Sequence, residues 1–446
     1  MMPLSLAELL VILAIVSLMT LECGLAIRSR SWVQIYRPTL FVAVVLAFYV
    51  LVGPLRAILA AGETANFVGT SGTFYRGLDH RGFLFWGWLG ALVFYASTLI
   101  GFHGWLPQLH PRRLMVHADL LRIVRWGRVL CWVGISMYVL VNGSRVINLL
   151  NPMAPQNFDR VWLGFGGFNF GPFQNYFQLG INFLIPGIVI QFAVWLRQRK
   201  NLWVVASWSV MASLIFLSET FRYRILLLIV PLLLLYLFYY KRRPRLVLLL
   251  AFMVIFVGLN GLVGLSRTHL RGLDFTKVAG YRPVEIIASS FEEAGVFFTS
   301  SAVLDSVPGK MPFVGLRPFA AAALQPFPRQ LLPAKPTGAY ANDLRETIYG
   351  TPYSFTAYLN FAEYYIVAGW TSLVVLSVSF GCLLRRLWTW FLWRQYEPLA
   401  QAVYLLNASY LYVVISRGYL AQVLMLYSFT VIPIFFAYYV LSEDVA

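Results

Sequence analysis

The sequence predicts an all-α, polytopic transmembrane helical bundle of about eleven spans with one large periplasmic loop containing an amphipathic helix. Three observations carry that prediction. Hydrophobic residues make up 59% of the 446 and charged residues 12%, with a mean hydropathy of +0.71, outside the range of soluble globular domains. Apolar runs of about 18 residues or more, enough to cross roughly 30 Å of hydrocarbon, recur along the chain. Short arginine- and lysine-rich stretches punctuate them.

Taken in order, spans are expected near 4–26, 39–61, 82–102, 123–141, 176–196, 201–218, 225–240, 246–266, 361–384, 399–416 and 419–440. The first is not expected to be a cleaved signal peptide, since no basic region precedes it and Glu8 and Glu22 bracket its apolar stretch. The loop 62–80 is polar, glycine-rich and reads as a connector. The stretch HPRRLMVHADLLRIVRWGR, with charges at helical spacing, is expected to lie along the inner membrane surface. His103, His110 and His117 belong to that inner side, away from the expected chemistry. A second outer loop, 142–175, carries aromatics, glycines and amides with Arg145, Asp159 and Arg160. It would suit sugar stacking and hydroxyl recognition, or form an aromatic belt.

Orientation follows from the basic loops. Arg28, Arg30 and Arg37 follow the first span, Arg112, Arg113, Arg122, Arg125 and Arg128 the third, and Arg197, Arg199 and Lys200 the fifth. Lys241, Arg242, Arg243 and Arg245 follow the seventh, and Arg385, Arg386 and Arg394 the ninth. With eleven spans all five clusters fall on the cytoplasmic side, leaving the N-terminus periplasmic and the C-terminus cytoplasmic. These anchors absorb about half of the 35 basic residues behind the net charge of +17. Nine of the rest lie between positions 267 and 345, on the outer side, where insertion does not need them and an anionic ligand would. Nucleic acid is not an expected partner, because the charges are interleaved with spans. Cys23, Cys131 and Cys382 all fall within spans, so neither a disulfide nor a zinc framework is implied.

The chain thus divides into a bundle over 1–266, a periplasmic loop over 267–360 and a second bundle over 361–446. The loop opens with Arg267 and Arg271, four apart and on one helical face, a spacing that suits a pyrophosphate clamp. His269 between them is the one outer-side histidine and a candidate base. EIIASSFEEAGVFF then reads as an amphipathic helix whose Glu292 and Glu293 form a solvated face. Eight prolines from Pro308 to Pro352 prevent a continuous helix and suit a stiff cover over a cavity. Along it lie Arg317, Arg329, Lys335, Tyr340, Asp343, Arg345 and Glu346. Upstream, SETFRYR places Glu219 three residues from Arg222, within pairing reach on a helix, while Arg222 and Arg224, two apart, cannot share a face and one must turn elsewhere; a snorkelling turn is the other reading.

PRQLLPAKP, followed about 25 residues later by NFAEYY and a glycine entering a span, resembles the O-antigen and oligosaccharide repeat-unit polymerase family. These are multi-spanning bacterial inner-membrane proteins, similar to glycosyltransferases of the GT-C type. The resemblance implies transfer of a glycan chain from undecaprenyl pyrophosphate onto a lipid-linked repeat unit at the periplasmic face. It also implies membrane lipids, a chain-length regulator and a flippase of the same pathway as partners. No DxD or acidic cluster is present, so no metal and no cofactor is expected. Arg267, Arg271, Arg329 and Arg345, with Arg222 or Arg224 and Arg417, would hold the pyrophosphates, each contact contributing about 2–4 kcal/mol. Lys335, His269, Tyr340 and Tyr364 would bind substrate. Glu363, at the span mouth beside Tyr364 and Tyr365, is the first choice of general base, and a carboxylate favoured by a helix N-terminus is its other reading. An O-antigen ligase built on His269 and a lipid-linked oligosaccharide flippase remain as alternatives. Neither an internal repeat nor a pair of matched, Gly/Pro-broken segments speaks for a transporter.

Overall fold

The computed structural model describes residues 4–29, 31–54, 80–104, 120–143, 170–219, 222–241, 258, 261, 295–327, 332–333, 339–349 and 357–443. The regular structure among these residues is helical, with no strand, and six helices are long and apolar enough to cross a membrane. A seventh crossing is made if one bent pair counts as a span.

Helix α1 (Leu6–Arg28) starts where Ser5 and Glu8 cap each other: Ser5 Oγ accepts from the Glu8 amide and Glu8 Oε2 accepts from the Ser5 amide at 2.7 Å. Glu22, inside this span, is buried, and an unpaired charge there would be costly. Thr39 donates to it at 2.5 Å, His103 Nε2 lies 2.8 Å away and Arg37 sits at 3.7 Å. His103 is therefore a structural partner of α1. Of the expected second span, α2 (Pro38–Leu46) and a π-helical turn to Val52 make an apolar helix, and the rest of that run lies outside the described residues. Helices α3 (His80–His103) and α4 (Leu120–Asn142) agree with the third and fourth runs. The fifth is α5 (Gln174–Leu179), a 3-10 turn and α6 (Leu184–Gln198).

Helices α7 (Leu202–Ser218) and α8 (Arg222–Tyr239) are apolar but short, and the run at 246–266 falls almost wholly outside the described residues. Three short helices follow: α9 (Val296–Ser306), α10 (Arg317–Leu324) and α11 (Ala339–Tyr349). The run expected as one span from 361 is two helices. Helix α12 (Asn360–Ala368) ends at Gly369, whose φ of +75° lies in a region other residues avoid, and the span proper is α13 (Trp370–Arg394). Helix α14 (Pro398–Ser416) is the next helix long and apolar enough to cross. The last run is α15 (Leu420–Thr430) and α16 (Ile432–Glu443), bent by 42° at their junction. Among the described residues, six helices, or seven with the bent pair, are thus long and apolar enough to cross, where hydropathy along the whole chain predicts about eleven spans.

The chain forms two compact units. The first comprises Met1–His110, Phe291–Trp390 and Leu411–Met425, and the second Pro111–Ser290, Phe391–Tyr410 and Leu426–Ala446. In lipid, helices approach through small residues rather than apolar collapse. In the second unit α4 packs on α6, where a Cβ added at Gly127 would lie 2.9 Å from the Gly187 carbonyl oxygen. In the first unit α3 meets α13 the same way, with Gly381 against the Thr98 carbonyl. The loop helix α9 packs along α3 and on α11 and α12, which fixes the elements that carry the candidate site.

Candidate active site

Glu363 lies on α12, one helix before the span α13. Leu359 stands in extended backbone ahead of that helix, and its amide donates to Ser300 Oγ on α9 at 2.7 Å. The first turn of α12 is thereby pinned to the loop. The glutamate itself is 2% exposed.

Its three hydrogen bonds are made by neutral groups. Tyr340 of α11 donates its hydroxyl to Oε1 at 2.7 Å, Tyr358 donates to Oε2 at 2.6 Å, and the Leu420 amide, at the start of α15, donates to Oε1 at 3.3 Å. Both tyrosines are buried. Among the described residues no guanidinium, ammonium or imidazole pairs with this carboxylate.

Burial disfavours the charged form and pushes Glu363 up to about 7, while the two phenols and the backbone amide hold it below where burial alone would take it. Burial, and then the facing glutamate, push the Tyr340 and Tyr358 hydroxyls well up, so both remain protonated donors. The result is a carboxyl poised near neutral pH, the condition a general base or a proton carrier requires.

A connector closes one side of this cage. The Gly418 amide donates to the Tyr358 carbonyl at 2.6 Å, and a Cβ at Gly418 would come within 2.5 Å of the Tyr358 ring, so only glycine permits that approach. Tyr419 lays its ring 5.9 Å from that of Tyr340. Arg417, one residue before the glycine, is half-buried and its amide bonds the Val413 carbonyl at the end of α14.

Arg345 of α11 is half-buried too. Its Nη1 donates to Asn342 Oδ1 at 3.1 Å, its Nε is buried with no hydrogen-bond partner among the described residues, and its charge acts on the Tyr358 hydroxyl. Tyr364 follows Glu363 and packs against Phe94 of α3, ring centroids 6.1 Å apart.

Of the residues expected from sequence, Glu363, Tyr340 and Arg345 are brought to one cage, with Arg417 on the connector that borders it. Arg267, His269, Arg271, Arg329 and Lys335 lie outside the described residues. Arg222 is the first residue of α8. Arg224, in the second unit, is buried and donates to Glu219, which also accepts from the Tyr138 hydroxyl at 2.6 Å. Its guanidinium is engaged with a carboxylate rather than presented to a ligand. Tyr358, Tyr419 and the Leu420 amide are site members that sequence reasoning did not name. The tyrosine-rich run TPYSFTAYLNFAEYY was the available signal for the first.

Comparison with family models, curated proteins and solved structures finds no match to this chain.

Proposed function

We propose that the chain is a membrane glycosyltransferase of the repeat-unit polymerase type. It moves a glycan from undecaprenyl pyrophosphate onto a lipid-linked repeat unit at the periplasmic face of the bacterial inner membrane. The observation that carries this reading is Glu363, a buried carboxyl balanced near neutral pH by two phenols, with the half-buried Arg345 acting on one of them. In the reaction an acceptor hydroxyl attacks the anomeric carbon, the carbon–oxygen bond to pyrophosphate breaks, and the acceptor proton passes to Glu363. Cations stabilise the departing diphosphate. Arg345 and Arg417 serve that role beside the cage, and Arg267, Arg271 and Arg329 enter on their sequence spacing alone.

Purified protein incubated with lipid-linked repeat units in detergent and EDTA tests this. A ladder of longer glycans is expected, and Glu363→Gln is expected to slow it by about 10²–10⁴-fold, the usual weight of a positioned acid–base group. Units that remain single under every metal condition would overturn the reading. If His269→Ala abolished transfer onto a lipid core while Glu363→Gln did not, the ligase reading would replace it.

The flippase reading is favoured by the same glutamate, since a carboxyl titrating near neutral pH can carry a proton across a transport cycle. Proton-dependent movement of lipid-linked glycan across vesicles, without change in length, would select it.

A further inference from the structure

Residues 308–327 belong to the proline-rich part of the loop, expected from sequence to form a stiff cover over a cavity. Their composition does not suit water. Within PGKMPFVGLRPFAAAALQPF the polar side chains are Lys310, Arg317 and Gln325, and no acidic residue occurs between Asp305 and Asp343. Leu316 is 73% exposed, Phe327 50% and Phe313 40%, alongside exposed Lys310 and Arg317.

The segment is nonetheless fixed in place. The Val314 and Gly315 amides donate to the Ile366 and Val367 carbonyls at the end of α12, at 2.9 and 3.1 Å. The inner face of α10 packs Ala321 and Ala322 against Ala421, Tyr419 and Leu420. An exposed apolar face on an anchored segment is a surface waiting for a partner.

Its depth can be read from α13. Phe313 touches Gly369, whose added Cβ would lie 3.1 Å from the ring, and Trp370 begins the span. Charged residues avoid hydrocarbon, so Arg385 and Arg386 mark one of its edges. From Arg385 back to Trp370 the helix rises about 22 Å, less than the roughly 30 Å of hydrocarbon. Trp370 is then no farther out than the opposite edge, and Phe313 shares its depth. The rings around it form an interfacial aromatic belt: Phe313 to Tyr365 at 6.1 Å, Tyr365 to Trp370 at 5.2 Å, Trp370 to Trp86 at 6.2 Å.

We infer that residues 308–327 are a membrane-docking segment that lies in the outer headgroup layer. Leu316, Phe313 and Phe327 enter the acyl boundary, and Lys310 and Arg317 engage the phosphates of anionic lipids. The occupant of this surface is the bilayer, chosen by its continuity with the span at Trp370 and by two cations with no acidic residue among them. The docked face is the outer side of α10, whose inner side packs on the residues around the Leu420 amide that bonds Glu363. The inference does not depend on the polymerase reading.

The test uses the full chain in lipid nanodiscs, with Cys23 and Cys382 replaced and the buried Cys131 left in place. Leu316→Cys carries an environment-sensitive dye, and Phe327→Cys serves as an independent second site. Blue-shifted emission is expected, together with quenching by lipids spin-labelled near the headgroup and protection from aqueous iodide. In discs containing phosphatidylglycerol the lipid quenching should exceed that in phosphatidylcholine alone, and Lys310→Glu with Arg317→Glu should abolish the difference. Iodide quenching without lipid quenching at both sites would overturn the inference, showing a segment in water. Protection from both quenchers would also overturn it, showing a second copy or another protein on this face.

Discussion

Two buried glutamates, one in each unit, show how the same side chain is held in two ways. Glu219 and Glu363 are 5% and 2% exposed, and each accepts a short bond from a tyrosine hydroxyl. Glu219 also receives the guanidinium of Arg224, itself 2% exposed and flanked by the rings of Phe216 and Tyr223. Glu363 receives phenols and a backbone amide instead. A cation fixes a carboxylate's charge and makes it part of the frame. Neutral donors leave the proton in play, which is why the chemistry is proposed at Glu363 and not at Glu219.

The sharpest way to break that contrast is to remove the cation. Arg224→Met leaves Glu219 buried without its counter-charge and is expected to cost about 3–5 kcal/mol, read as a fall in the thermal unfolding midpoint in detergent. Adding Glu219→Gln should restore most of it, because the cost is a stranded charge rather than a lost contact. A single variant as stable as the parent would mean that Arg224 is not the counter-charge of Glu219.

The next effect is smaller and falls on the neutral cage. Tyr358→Phe removes one donor to Glu363 and is expected to cost about 1–3 kcal/mol. The phenol favours the ionised carboxyl, so its loss raises the Glu363 value further above about 7. The acid limb of the activity profile should move to higher pH, and Tyr340→Phe should move it the same way. Tyr138→Phe, at the ion-paired glutamate, should lower stability without moving that limb.

The two sites were unequally legible in the sequence, for physical reasons. SETFRYR puts Glu219 and its arginines within six residues, a charged pairing motif in sequence, and among the described side chains the arginine paired with Glu219 is Arg224. Glu363 could be named from its place before a span. Two of its three donors could not be paired with it, since Tyr340 and Leu420 lie 23 and 57 residues away and meet it only through folding, whereas Tyr358 stands five residues before it in a tyrosine-rich run. Glu22 and His103 are a similar case, 81 residues apart, and their pairing gives a structural role to a histidine that sequence reading had set aside. Hydropathy located α1, α3, α4 and α14 well, because a long apolar run has few alternatives to a crossing helix. It ran through the break at Gly369 and the bend between α15 and α16, because hydropathy sums side chains and is blind to a change of backbone direction.

Measured per pH unit, the smallest effect is also the most specific to an uncompensated carboxyl. Glu363 ionises near 7 in the fold against an ordinary 4.5, so between those values the folded protein holds a proton that the unfolded chain has released. Stability drawn from that proton is fully present below about 4.5, declines as pH rises through the window, and is gone above about 7. The slope is at most about 1.4 kcal/mol for each pH unit. Other carboxylates and histidines titrate over the same range, so the quantity to follow is the difference in unfolding midpoint between the parent and Glu363→Gln. Because the amide does not titrate, the parent should lose stability relative to the variant between these limits and then run parallel to it. If the two curves stay parallel from pH 4 to 8, Glu363 is already ionised in the fold and carries a hidden counter-charge. The two glutamates would then be alike, and Glu363 would lack the raised basicity on which the proposed chemistry turns.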